Sequence, residues 1–194
     1  MIKNLANLLL RRHRHVCPWW SCFTFDNFMR KWFQDPVRIL APYVRPGDTA
    51  LDIGPGMGYF SIPLAEMVGD RGRVIAADLQ ARMLARLKKR AAQKNIAHRI
   101  ETHLTTRDAL GITASVDFAL AFWMVHEVPD QMRFFQEVRR LLKPDGTLLV
   151  AEPVMHVRGR DFDRTVRIAG STGFRFKDRP VIKFSRTALF SGEN

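Results

Sequence analysis

The segment Leu51–Phe60, LDIGPGMGYF, constrains the fold of this 194-residue chain more than any other stretch. Three glycines alternate between the end of an apolar run at Ile53 and the start of a helical pattern near Ser61: Gly54, Gly56 and Gly58. Glycine allows positive φ angles and lets a ligand approach the backbone closely. We therefore expect a tight strand–loop–helix connection at the carboxyl edge of a sheet, where open α/β folds bind ligands.

Strand-like and helix-like segments alternate from about residue 40 onward. The strand candidates are Thr49–Ile53, Arg73–Ala77, Arg99–His103, Val116–Phe122 and Thr147–Glu152, with two more near Gly173–Lys177 and Val181–Phe190. Helical spacing of apolar residues covers Ser61–Val68, Ala81–Lys94 and a segment capped by Asp130, which the turn Lys143–Gly146 should end. This alternation predicts an α/β fold: a Rossmann-like, seven-stranded, mostly parallel sheet with helices on both faces. The last two strands are too close for a crossover helix, so the final strand should be antiparallel.

The acids around the glycine loop favour a nucleoside cofactor with a cationic end over a dinucleotide. The dinucleotide fingerprint G-x-G-x-x-G needs a small residue where Tyr59 stands. Asp52, just before the loop, suits a cationic amino group better than a diphosphate. Asp78 ends the second predicted strand, where one carboxylate can accept hydrogen bonds from both ribose hydroxyls.

Residues from about 37 to 190 resemble the class I S-adenosylmethionine-dependent methyltransferases, and within them the small enzymes grouped with ubiquinone and menaquinone pathways. The resemblance rests on LDIGPGMGYFS (51–61), VIAADLQARML (74–84), VDFALAFWMVHEVPD (116–130) and LLKPDGTLLVAEP (141–153). It implies that S-adenosyl-L-methionine is the cofactor and S-adenosyl-L-homocysteine the product. The cofactor contacts that it implies are Asp52, Gly54, Gly56, Gly58, Asp78, Leu79, Asp108, Ala109 and Phe122.

The segment Phe122–Glu127, after the fourth strand, is expected to face the methyl group. Alignment of the reacting atoms can supply about 7–11 kcal/mol of the barrier reduction. His126 has a pKa suited to a general base, and Glu127 could orient it. The alternative is that His126 only shapes the floor of the pocket through hydrogen bonds. Trp123 is a candidate contact for the methyl acceptor.

The amino-terminal region differs in composition, so we expect a lid over residues 1–36 and a methyltransferase domain over residues 37–194. Its large aromatic residues fall within fifteen positions: Trp19, Trp20, Phe23, Phe25, Phe28, Trp32 and Phe33. Such a cover suits a small apolar or aromatic acceptor, with Trp19 and Trp32 as candidate contacts, while packing on the sheet is the alternative for each ring. The spacing of His13, His15, Cys17 and Cys22 is not that of a structural zinc site, so no metal site is predicted.

The net charge of +12 attracts anionic partners and keeps an RNA methyltransferase as an alternative function. No Asn-Pro-Pro-Tyr-type motif follows the fourth strand, which favours the small-molecule acceptor. A non-catalytic binding protein of the same fold is a second alternative, although the intact glycines and Asp78 argue against it. The segment Leu5–Arg14 could contact an anionic membrane surface, with a solvated terminus as the alternative. Without a membrane-spanning run or a secretory signal, and with two cysteines, a cytoplasmic protein is expected.

Overall fold

The computed structural model describes residues 33–192. Its strands are β1 (Thr49–Ile53), β2 (Arg73–Asp78), β3 (Ile100–Leu104), β4 (Val116–Phe122), β5 (Leu142–Pro153), β6 (Arg175–Asp178) and β7 (Ser185–Ser191). Its helices are α1 (Pro36–Leu40), α2 (Ser61–Val68), α3 (Ala81–Gln93), α4 (Gln131–Leu141) and α5 (Gly159–Ser171). Single 3₁₀ turns cover Ala97–Arg99 and Val125–Glu127. Within the described residues, no helix is both long and apolar enough to cross a membrane.

The strands form one sheet in the order β3-β2-β1-β4-β5-β7-β6. Strands β1 to β5 are parallel, whereas β7 runs antiparallel to both of its neighbours. The predicted fold class is therefore confirmed, including the antiparallel last strand. The direction of winding reverses between β1 and β4, so the loops that follow these two strands lie side by side at the carboxyl edge, which is where such sheets bind ligands.

Helices cover both faces of the sheet because successive strand residues point to opposite sides. In β4, Phe118 and Leu120 are buried with Leu40, Leu64 and Leu87 of α1, α2 and α3. The intervening Ala119 and Ala121 are buried against α4 and α5, whose core residues include Phe135, Val138 and Phe162. Strand β4 is thus buried on both faces, as a central parallel strand should be.

Two of the predicted helix ends agree with the structure. Asp130 caps α4 by accepting a hydrogen bond from the Arg133 N–H at 3.0 Å, and Gly69 ends α2 with φ of +66°. Ser61 is the first residue of α2 rather than its cap, and its hydroxyl bonds to Asp52 instead.

Two expectations for the second half differ from the structure. Helix α5 was not predicted, because Thr165 interrupts the apolar face that Phe162 and Ala169 bury. The segment Lys143–Gly146 does not form a separate turn, since β5 begins at Leu142 directly after α4. These residues form an irregular start of the strand, where the register with β4 shifts.

Candidate active site

The loop after β1 forms one wall of a cavity of about 480 Å³. Gly54 and Gly56 line it, with φ of +73° and +55°. Gly58, with φ of +90°, is not part of the lining; a Cβ atom there would come within 2.1 Å of Leu87 Cδ1 on α3. All three glycines were expected to contact the cofactor. Gly54 and Gly56 lie at the cavity, whereas Gly58 lets the loop pack on α3.

Asp52 also lies outside the lining of the cavity. Its carboxylate is buried at the end of β1 and accepts a hydrogen bond from the Ser61 hydroxyl at 2.6 Å. This bond ties β1 to the first residue of α2, so it fixes the entry of the chain into the helix. A direct cofactor contact from Asp52 is not supported by this position.

Asp78 lies at the end of β2, lines the cavity and is 8% exposed. Its Oδ2 accepts from the Gly56 N–H at 3.3 Å and its Oδ1 from the Gln80 N–H at 2.8 Å. Burial raises the pKa of Asp78, and these backbone donors offset only part of that effect. Because each carboxylate oxygen has further acceptor capacity, Asp78 can still receive hydroxyl donors from a ligand.

The loop after β3 closes the far side of the same cavity. Asp108 and Ala109 line it together with Leu79, so these predicted contacts do lie around one space with Asp78. The loop is pinned by two bonds: the Ala109 N–H donates to Thr106 Oγ1 at 3.1 Å, and the Leu110 N–H donates to Glu137 Oε2 on α4 at 2.6 Å.

The segment after β4 forms the wall next to the glycine loop. Trp123 lines the cavity with φ of +60°, an uncommon conformation for a large side chain. Two bonds hold it there: its backbone N–H donates to Ala151 O at 2.7 Å, and its indole Nε1 donates to Ser185 Oγ at 2.9 Å. Phe122 is not in the lining but packs behind it, with its ring 4.4 Å from that of Phe60.

The predicted pair of His126 and Glu127 is corrected by the structure. The Nδ1 atom of His126 is hydrogen bonded to Glu152 on β5. Glu127 lines the cavity, whereas His126 itself is not part of the lining. Burial alone would lower the pKa of His126. The hydrogen bond and charge of Glu152, together with the charge of Glu127, more than offset this effect, so the pKa is raised above its usual value. Sequence reasoning missed Glu152, although a carboxylate at the end of the apolar run LLVAE signals a buried acid that needs a partner.

The candidate acceptor contacts Trp19 and Trp32 lie outside the described residues, as do His13, His15, Cys17 and Cys22. The described chain begins beside the wall that Trp123 forms. Gln34 is 1% exposed, and its Nε2 donates to Lys183 O at 2.9 Å and to Ser185 Oγ at 3.3 Å. Its backbone carbonyl accepts from the Tyr59 hydroxyl at 2.7 Å. Gln34 and Trp123 thus share Ser185 as a partner.

Together, the fold and this cavity have the features of nucleoside-binding α/β proteins. A buried acid ends β2, a glycine loop follows β1 and a mostly apolar wall follows β4, all at the carboxyl edge of the sheet. The residues around the cavity fit S-adenosyl-L-methionine. Asp78 can accept hydrogen bonds from the ribose hydroxyls, Leu79 can lie against the adenine, and the glycine backbone leaves room for the methionine part.

The family follows from comparison with known proteins. A family model described as a methyltransferase domain matches residues 51–150, more than half of the chain. The chain belongs to this family, and so to the class I S-adenosylmethionine-dependent methyltransferases.

Named relatives agree with that assignment, and a solved structure shares the fold. A demethylmenaquinone methyltransferase of Lactobacillus johnsonii is 34% identical over 112 residues, covering 56% of this chain and 45% of that protein. A ubiquinone/menaquinone biosynthesis C-methyltransferase of Brucella anthropi is 31% identical over 124 residues, covering 63% and 47%. An arsenite methyltransferase of Halobacterium salinarum is 31% identical over 110 residues, covering 56% and 28%. The chain thus spans about half or less of the length of these relatives. The fold matches a SAM-dependent methyltransferase from Aquifex aeolicus, with a TM-score of 0.80 and 21% identity over 90% of this chain and 98% of the other.

Proposed function

We propose that this chain transfers a methyl group from S-adenosyl-L-methionine to a small apolar or aromatic acceptor. The observation that carries the proposal is the buried carboxylate of Asp78, bonded to the Gly56 N–H at the rim of a cavity of about 480 Å³. When bound, S-adenosyl-L-methionine supplies an electrophilic methyl group on a sulfonium, whose sulfur keeps the electron pair of the broken bond.

The role of the chain is to bind the cofactor and to orient it for methyl transfer. Asp78 accepts hydrogen bonds from the ribose, Leu79 and Ala109 offer apolar surface to the base, and Asp108 offers an acceptor to its amino group. Gly54 and Gly56 bring the backbone close to the methionine end. Holding reactants in line is the main source of rate for this chemistry, up to about 7–11 kcal/mol.

The wall after β4 excludes water and selects the acceptor. Trp123 and Met124 line the cavity beside Gly54, where a Cβ atom would meet the Met124 side chain at 3.2 Å. An aromatic ring and a thioether suit an apolar or planar molecule. The names of the quinone-pathway relatives support an acceptor of this class. His126 precedes the lining residue Glu127 in the chain, and its partly open ring serves as the proton acceptor where the nucleophile must lose a proton.

The cofactor part of the proposal is tested by calorimetry with S-adenosyl-L-homocysteine. Asp78→Ala should weaken binding at least tenfold, which is about 1.4 kcal/mol, because the ribose loses its acceptor. Asp145→Ala is the matched control, since Asp145 is exposed in the irregular start of β5, outside the cavity lining. Equal affinity of wild type and Asp78→Ala, or tighter binding of NAD, would contradict the proposal.

We also propose that residues 1–36 act as a lid over the acceptor side. Support comes from its described end: Gln34 is buried against β7 and shares Ser185 with Trp123, and the ring of Phe33 packs 5.6 Å from that of Phe184. A chain that arrives here can continue across the mouth of the cavity.

Deletion of residues 1–32 tests the lid, because it removes Trp19 and Trp32 but keeps Gln34. Methyl transfer to a soluble naphthoquinol should be lost, while the affinity for S-adenosyl-L-homocysteine should change far less. Deletion of residues 1–14 is the control, since it removes basic residues and no Phe, Trp or Tyr. Unchanged turnover in the longer deletion would show that the segment is only a tail.

A further inference from the structure

Glu152 is a buried carboxylate that makes two bonds into one turn. It is 1% exposed at the end of β5, in a run of apolar residues. Its Oε1 accepts from the Val125 N–H at 2.7 Å, and its Oε2 is bonded to Nδ1 of His126. Burying an ionised group is costly unless it is paired and hydrogen bonded. Both partners lie in the 3₁₀ turn Val125–Glu127, so Glu152 fixes the turn and the ring that the turn carries.

We propose that Glu152 is the positioning residue that holds His126 with its proton on Nδ1, so that Nε2 is the atom that takes a proton from the methyl acceptor. The inference deepens the proposed function and rests on it. An ionised carboxylate only accepts hydrogen bonds, so the nitrogen that faces it must donate. In the neutral ring, the lone pair then lies on the other nitrogen.

The exposure of the two side chains agrees with this assignment. His126 keeps 27% of its side-chain surface open, while its partner keeps 1%. Because Nδ1 faces the buried partner, the open part of the ring lies away from Nδ1. In the transfer step, the acceptor loses its proton to Nε2 and uses the freed electron pair to bond to the methyl group. The imidazolium that results is held against the ionised carboxylate of Glu152.

Three elements place charged or titratable groups around the ring, and β7 adds one opposite Glu152. Glu152 faces it from β5, Glu127 from its own turn, and His156 from the segment after β5, with ring centroids 6.0 Å apart. Arg186 of β7 lies opposite Glu152 in the sheet, and its Nε donates to Val157 O at 3.0 Å. Only Glu152 bonds directly to the imidazole among the described groups, which is why the prediction is specific to it.

The experiment compares Glu152→Gln with Glu127→Gln by NMR of ¹⁵N-labelled histidine, with the His126 signal assigned from His126→Asn. In the wild-type protein, the neutral ring should carry its proton on Nδ1. In Glu152→Gln, the pKa of His126 should fall and the Nε2–H form should gain population, because the amide replaces the carboxylate and the Val125 N–H can still donate to the amide oxygen. Glu127→Gln should leave the proton on Nδ1.

Three further readouts make the outcome decisive. The affinity for S-adenosyl-L-homocysteine should be the same in wild type and Glu152→Gln, so a failure of the cofactor proposal is seen separately. With a naphthoquinol acceptor, kcat should fall by about 10²-fold or more. The acidic limb of its pH profile should move to lower pH, because the base has a lower pKa. A wild-type ring with its proton on Nε2 would overturn the proposal, even if Glu152→Gln fails to fold. The proposal would also be overturned if folded Glu152→Gln showed the same His126 pKa and the same proton position on the ring as the wild-type protein.

Discussion

Replacing single glycines by alanine separates the two roles within the loop after β1. Gly58 has φ of +90°, and a Cβ atom there would lie 2.1 Å from Leu87 Cδ1 and 3.5 Å from Ile62. Leu87 is fully buried on α3, so it has little room to move. Gly56 has φ of +55° and open space around its missing Cβ, but it lines the cavity and donates to Asp78.

The two substitutions should therefore differ in stability. Alanine at positive φ costs about 1–2 kcal/mol at either position. At Gly58 the clash with a packed core adds about 1–3 kcal/mol, for a total of about 2–5 kcal/mol. Since 1 kcal/mol shifts the melting temperature of a chain of this size by about 2–4 °C, Gly58→Ala should melt roughly 4–20 °C below wild type. Gly56→Ala should lose only the about 1–2 kcal/mol that alanine costs at positive φ, because no clash is added.

Urea and thermal unfolding measure the stabilities, and calorimetry with S-adenosyl-L-homocysteine measures binding. Gly56→Ala should bind weakly while it remains folded, whereas folded Gly58→Ala should keep most of the affinity. A double-mutant cycle with Leu87→Ala isolates the clash, because the second change removes the atom that the new Cβ would meet. If both glycine variants lose the same stability and the same affinity, the division of roles is wrong.

Other predictions follow from single contacts. Affinity for S-adenosyl-L-homocysteine should fall as pH drops through the raised pKa of Asp78, since the ionised form accepts the ribose bonds; calorimetry on Asp78→Ala should lose this dependence. The pair of His126 and Glu152 should stabilise the fold below the pKa of an unfolded histidine, about 6.5, and lose this effect as pH rises through the higher folded pKa; urea midpoints of wild type and His126→Gln should converge there. Ser61→Ala should cost about 1.5–3 kcal/mol in urea unfolding, because buried Asp52 loses a donor. RNA binding in a filter assay should be weak and fall steeply with salt, since the basic residues are spread over several helices.

Most of the fold could be predicted because its core elements have local signals. Strands β1, β2 and β4 are short apolar runs, and α3 and α4 show apolar residues at helical spacing. Helix α5 has a weaker signal, since Thr165 lies on its buried face and bonds to Gln131 of α4 at 3.0 Å. A buried polar residue with a partner on another helix cannot be distinguished from a surface residue by periodicity alone.

The residues that we propose to hold the cofactor could be predicted from the sequence for a similar reason. Gly54 and Leu79 directly follow β1 and β2, Gly56 lies two residues beyond Gly54, and Asp78 is the last residue of β2. Parallel strands bring their carboxyl ends to one edge of the sheet. Knowing which strands are parallel neighbours is then enough to place these residues together. Asp52 was assigned for its charge and Gly58 from the family resemblance. In the structure Asp52 bonds to Ser61 and Gly58 lies against α3, so neither lines the cavity.

The pairing of His126 with Glu152 depends instead on strand register, which no local pattern specifies. Phe122, the last residue of β4, lies opposite Ala151 of β5, and Trp123 continues the pairing by donating to Ala151 O. The 3₁₀ turn Val125–Glu127 then lies next to Glu152, the residue of β5 that follows Ala151. The Val125 N–H and the His126 ring therefore both reach Glu152. A shift of one residue would direct Glu152 to the other face of the sheet and leave its charge buried without these donors. The adjacent Glu127 is therefore the partner that the sequence suggests, and Glu152 is the partner that the register of β4 and β5 imposes.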